Sequence, residues 1–334
     1  MEIKNNIEMD MRNIILGFKK QFAAGFDLAK NTGAELDSKK IKNIFICGMG
    51  GSALPGELLQ LLTNSLKIKI PVFIHRNYEV PLLADENSLI VAISYSGNTE
   101  ETISSFKESL GKKLNIIAIS SGGEIEKLCK ENGVPLSIIP PGLPPRMALG
   151  YQFSALLKIL ENSHILPEVS ENILNIIDNL DEEKLDKEGR GLSEKILGKI
   201  PLIYSSQKYE PLAFIFKILL NENSKMPAFW NKFPELDHNE IEAFNSKESK
   251  FTVLILKSND ENDRVSKRMD ITADIIKSRG SEVNFIEISG KTIFEKIINS
   301  LILFYWTSYY LAKVQKINPF ENKLIDELKN KMKE

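Results

Sequence analysis

A chain of 334 residues is long enough for two domains or one large α/β unit. Its 43% hydrophobic and 26% charged residues are the proportions of a soluble globular protein. A net charge of −2 and a pI near 6.1 exclude broad attraction to nucleic acid. The start, MEIKNNIEMDMRN, lacks the apolar core of a signal peptide. Apolar residues at helical spacing predict a helix over 7–30, within an N-terminal helical segment 1–35. Ile41–Cys47 reads as a strand, GMGGS follows it, and Leu54–Leu62 is helical. Ile70–Ile74 and Leu89–Ile93 are the next strands, Glu100–Leu110 a helix, Asn115–Ile119 a strand, 122–132 a helix and Pro135–Ile139 a strand. Continuous apolar strands separated by helices predict a parallel sheet covered on both faces.

PPGLPPR at 140–146 breaks the pattern, and a helix follows over Met147–Leu160. The first domain is thus placed at 36–160. The charged stretch 161–195 reads as a helical connector. A second alternating unit begins near 199 and defines a second domain over 196–334. Ile200–Tyr204, Phe251–Leu256 and Val283–Ile288 are strands, and Pro211–Leu220 and Arg264–Ser278 are helices. FTVLILKSNDENDRVSKRMDIT repeats the layout of SLIVAISYSGNTEETISSFKES, so two doubly wound parallel units are expected, with helices at both termini of the chain. The apolar stretch Ile297–Ala312 is interrupted by Asn299, Ser300, Thr307 and Ser308, and predicts a buried helix in place of a membrane span. Two cysteines, Cys47 and Cys129, and three scattered histidines, His75, His164 and His238, give neither a disulfide framework nor a metal cluster. A cytoplasmic protein without metal or cofactor is expected.

Two loops stand out. Ser94, Ser96 and Thr99 surround Gly97 and Asn98 between a buried strand and a helix. In open α/β sheets ligands bind at that edge, and a helix N-terminus suits an anion. The competing reading is that the hydroxyls only cap and turn the chain. The second loop, Gly48-Met49-Gly50-Gly51-Ser52-Ala53, also joins a strand to a helix, and Gly51 and Ser52 are its binding candidates. It fits a G-x-G-x-x-A dinucleotide fingerprint, but the next strand ends in His75-Arg76 where an acid is expected. One Gly-rich and one Ser/Thr-rich loop suit a small phosphorylated molecule better.

Strand-GMGGS-helix followed by strand-SYSGNTEE-helix resembles the sugar isomerase (SIS) fold. With PPRMALGY at 144–151, LNENSKMPA at 220–228 and ELDHNEIEAF at 235–244, most of the chain resembles the archaeal-type bifunctional phosphoglucose/phosphomannose isomerases. The resemblance implies cofactor-free interconversion of glucose 6-phosphate and mannose 6-phosphate with fructose 6-phosphate. In it Glu222 transfers the proton and Arg146 stabilises the intermediate and touches substrate. His238 opens the ring from the partner subunit of a homodimer, and Lys329 of the last helix approaches the substrate. Chemistry agrees with these residue types: a carboxylate shuttles protons, an imidazole works near neutral pH, and a guanidinium meets developing negative charge. Each residue taken alone also reads as ordinary surface: Glu222 after a helix in a loop-like NENSK segment, His238 in a polar loop, Arg146 in a salt bridge. Asp237, beside His238, replaces an expected Asn, and a carboxylate there favours the charged imidazole; Ala243 replaces an expected Gly. The alternatives are a non-catalytic sugar-phosphate sensor and another sugar-phosphate isomerase or synthase of the same fold.

Overall fold

The computed structural model describes residues 10–245 and 250–332. The chain divides into two compact units: Phe18–Leu180 with Gly290–Ile297, and the described residues before Phe18 with Asp181–Ser289 and the chain from Ile298 onward. Helices α1 (Met11–Leu16) and α2 (Phe18–Leu28) stand where one helix over 7–30 is expected; residues 7–9 lie outside the described residues. The break falls at Gly17, whose N–H returns to the Asn13 carbonyl at 2.9 Å. Glycine inside a helix costs about 1 kcal/mol relative to alanine, which makes it the natural breaking point.

The first unit then alternates: β1 (Asn43–Cys47), α3 (Leu54–Ser65), β2 (Val72–His75), β3 (Ser88–Ser94), α4 (Glu100–Gly111), β4 (Asn115–Ser120), α5 (Gly123–Asn132) and β5 (Leu136–Ile138). The five strands form a parallel sheet in the order β2-β1-β3-β4-β5. Central β3 is buried at every position, as its unbroken apolar run demands. A 3-10 turn at Pro145–Ala148 leads into α6 (Leu149–Asn162), and α7 (Ser170–Asp178) follows. Both cysteines belong to this unit's core, where burial pushes each thiol up to about 12; a hydrogen bond with Ser105 partly opposes this at Cys47.

The other unit contains α8 (Glu182–Ile196), β6 (Ile200–Ser206), α9 (Glu210–Asn223), β7 (Phe229–Phe233), β8 (Phe251–Lys257), α10 (Asp263–Ser278), β9 (Glu282–Glu287), most of α11 (Ile293–Val314) and α12 (Lys323–Lys331). Its parallel sheet runs β7-β6-β8-β9, the order of the first sheet without a fifth strand. Strand β7 has no counterpart in the sequence-based expectation. It is an edge strand with a half-polar sequence, FWNKF, whose first residue is exposed. The stretch 161–195 carries two helices, α7 and α8, which belong to different units. The apolar stretch near 300 is α11, whose Phe304 stacks on Phe216 of α9 at 4.2 Å. Among the described residues no helix is long and apolar enough to cross a membrane.

Candidate active site

Strands β1 and β3 are neighbours in register, with Cys47 opposite Ala92, so both candidate loops leave the same sheet edge. Ser52 ties them together: its hydroxyl accepts the Tyr95 N–H at 3.0 Å. Ser94, fully buried, donates to the Thr99 hydroxyl at 3.0 Å and accepts the Thr99 N–H at 3.4 Å. Ser96, exposed, accepts the Asn98 N–H at 3.3 Å. Turn chemistry is thus present, yet the hydroxyls of Ser52, Ser96 and Thr99 act in it as acceptors, and a hydroxyl that accepts keeps its own proton for a second partner. Thr99 occupies the N-cap of α4 and makes no side-chain cap bond, which leaves the first N–H groups of that helix without a side-chain acceptor. Gly97 is obligatory: its φ is +71° and a Cβ there would stand 1.7 Å from the Gly122 carbonyl oxygen.

Arg146 lies on the 3-10 turn before α6 and is completely buried, unlike the surface arginine of the alternative reading. It touches the glycine loop directly, since a Cβ on Gly51 would fall 2.4 Å from the Arg146 backbone nitrogen. Gly51, Ser52, Ser94, Thr99 and Arg146 therefore share one neighbourhood, with exposed Ser96 at its open side. His75 and Arg76 face other partners: His75 Nε2 lies 3.0 Å from the Glu79 carbonyl oxygen, and Arg76 pairs with Glu57.

The other unit carries the remaining candidates. Glu222 is in the last turn of α9, a helical position and not the loop that NENSK suggests. Its neighbours hold the backbone: Asn223 donates to Ser308 Oγ at 3.0 Å, Ser224 to the Ser308 carbonyl at 3.0 Å, and Asn221 to the Met226 carbonyl at 2.8 Å. Lys225, with φ +54°, bridges the carbonyls of Glu222 and Glu321, each at 2.5 Å. His238 is exposed at the end of a 3-10 turn over Glu235–His238. Asp237 turns away from it, accepting from Thr272 Oγ1 at 2.8 Å and pairing with Arg268 at 3.4 Å. Lys329 is exposed on α12, where Lys323 and Lys331 pair with Glu321 and Glu327. Sequence reasoning does not anticipate the half-buried bond from Tyr204 to Glu240 of the HNE segment at 2.5 Å, or the anchoring of Asn223 and Ser224 on α11. The only signal for the latter was Ser308 interrupting an apolar helix.

Residues 38–135 match the SIS domain, and residues 185–332 match the bacterial phospho-glucose isomerase C-terminal SIS domain. The bifunctional phosphoglucose/phosphomannose isomerase of Caldicellulosiruptor bescii is 34% identical over 333 residues, covering 96% of this chain and 98% of that protein. The chain belongs to the bifunctional phosphoglucose/phosphomannose isomerase family. The Aquifex aeolicus protein of this family is 32% identical over 97% of this chain and 98% of its own. A D-glucosamine-6-phosphate 4-epimerase of Sulfolobus acidocaldarius is 34% identical over a shorter stretch, 71% of this chain and 75% of its own. The fold is shared with the C-terminal domain of the Francisella tularensis glucosamine-fructose-6-phosphate aminotransferase (TM-score 0.70, 19% identity, 96% of this chain and 100% of that one). For this family of isomerases the parallel sheets, the paired loops and the buried arginine described above are the frame in which chemistry is to be placed.

Proposed function

We propose that the protein interconverts glucose 6-phosphate and mannose 6-phosphate with fructose 6-phosphate through a cis-enediol(ate). The observation that carries this reading is the pair of loops at one sheet edge, donors of Ser52, Ser96 and Thr99, the last oriented by Ser94, beside an uncapped α4 and the buried Arg146, in a chain that matches a family member over 96% of its residues. The phosphate is held by those hydroxyls and by the backbone of Gly51, at the positive end of α4. Glu222 moves the proton between C2 and C1. Both aldoses give the same enediol once C2 is planar, so one base serves both. Arg146 stabilises the oxyanion of the intermediate, a fixed charge in a buried site being worth more than one in water. His238 opens the ring from the partner subunit of a homodimer, and Lys329 approaches the substrate from α12. The route needs acid and base groups alone.

Fructose 6-phosphate formation from each aldose, measured with a chelator present, tests the activity. Product from both is expected. The epimerase relative supplies the competing outcome, so D-glucosamine 6-phosphate is assayed alongside. Its C4 epimer appearing without any ketose from either aldose overturns the proposal. E222Q is expected to abolish turnover and exchange of the C2 proton with solvent, with substrate still bound; exchange at the wild-type rate removes Glu222 from its role.

A further inference from the structure

Two buried glutamines grip the backbone on either side of Arg146. Gln152, in the first turn of α6 and fully buried, donates through Nε2 to the Pro145 carbonyl at 2.7 Å. Gln21, on α2 and also buried, donates through Nε2 to the Met147 carbonyl at 2.9 Å, across 126 residues of sequence. The amide orientation follows from chemistry, because a carbonyl oxygen can be met only by the –NH2 end. The Oε1 atoms of both glutamines are buried without a hydrogen-bond partner among the described residues. An apolar side chain of the same length would avoid desolvating that oxygen. What the amide adds is a donor on each flank of Arg146.

Close packing delivers these donors. At Gly25 a Cβ would come 2.0 Å from Ser154 Oγ, and at Gly150 one would come 2.7 Å from the Gln21 Cβ. Such contact between α2 and α6 brings Gln21 over the turn. The glycine loop closes on the same turn at Gly51. A four-residue 3-10 turn has few hydrogen bonds of its own with which to fix a long side chain. Here it is held from α2, from α6 and from the loop 48–52.

We propose that Gln152 and Gln21 are positioning residues for Arg146, fixing the carbonyls before and after it so that the guanidinium meets the developing oxyanion in one orientation. The inference rests on the reading of Arg146 as the group that stabilises the intermediate. Q152M and Q21M keep length and apolar volume while removing both the donor and the unpaired acceptor, so folding is retained, as thermal melts verify. Each is expected to lower kcat by about 10- to 100-fold, the size of effect that small misplacements produce. KM and affinity for inorganic phosphate stay near wild type. In an R146K background the same substitutions add no further loss, because they act through the arginine. Wild-type kcat in Q152M and Q21M, or a loss of undiminished size in R146K, overturns the proposal. If Q152M fails to fold, Q21M carries the same comparison from the other flank. An R146A enzyme that turns over normally sinks the reading of Arg146 and this inference together. An inactive R146A beside an unimpaired Q152M sinks the inference alone.

Discussion

Corresponding strands of the two sheets, β3 and β8, each end in a loop that opens a helix, and the two loops have opposite chemistry. Residues 94–99 contain no carboxylate, and the helix they open lacks a side-chain cap. Residues 258–263 bring their own anions. Asp260 accepts from the Tyr209 hydroxyl at 2.7 Å, from Ser258 at 2.7 Å and from Lys208 at 2.8 Å. Glu261 accepts from Ser206 at 3.0 Å, and Asn262 caps α10 through the Arg264 N–H at 3.0 Å. One loop offers donors to an anion from outside, whereas the other spends them on side chains of the same chain. Strand order survives in both sheets. A handful of loop residues separates two sheets of matching strand order, and on the proposed function only the first is open to a phosphate.

The largest effect expected from this contrast is that of a carboxylate placed in the open loop. Ser96 is exposed, so S96D costs no packing. Like charges brought together cost several kcal/mol, so KM for sugar phosphates should rise at least about 100-fold; an unchanged KM breaks the comparison. G51A, whose Cβ would meet the Arg146 nitrogen at 2.4 Å, should lower kcat by about 100-fold through displacement of that turn. Calorimetric titration with inorganic phosphate should give one site per chain, and a second site of similar affinity would dissolve the contrast. D260N should leave kcat/KM unchanged and lower the melting temperature by a few degrees, about 1 kcal/mol in a unit of this size. A tenfold fall in kcat/KM would bring the filled loop into the chemistry.

The smallest effect concerns pH. Burial pushes the Tyr209 phenol above its ordinary range; a bond with Ser258 opposes this and the bond to Asp260 reinforces it. A group whose folded value is raised contributes stability that is complete below its unfolded value, about 10 for tyrosine, and is lost as pH rises through the folded value. Y209F should therefore be about 1 kcal/mol less stable than wild type at neutral pH, with the gap narrowing above pH about 10. Melts from neutral pH to about 11 check this, and a constant gap counts against it.

Strands made of unbroken apolar residues, such as Leu89–Ile93, were legible because a strand buried on both faces has no polar position to confuse the period. Edge strand β7 was not, since FWNKF is half-exposed and carries no alternation. Asn-Glu-Asn has the composition of a turn, and Glu222 was placed in a loop. The helix continues through it because Asn223 and Ser224 find partners on α11, a contact between segments more than 80 residues apart. The loops 48–53 and 94–99 were legible as a pair, because both follow strand signals directly. The grip on Arg146 was not: Gln21 and Gln152 are single polar residues in amphipathic helices, and nothing in their spacing points at a shared turn.

The chain has two cysteines, and both lie in the core of the unit that carries the hydroxyl loop. With their thiols held up to about 12 by burial, neither is a nucleophile in the native state. Alkylation must then wait for that unit to open, while unfolding confined to the other unit exposes no thiol at all. The rate at which a maleimide consumes the protein is thus a built-in clock for local opening of one half of the molecule, readable without any engineered label.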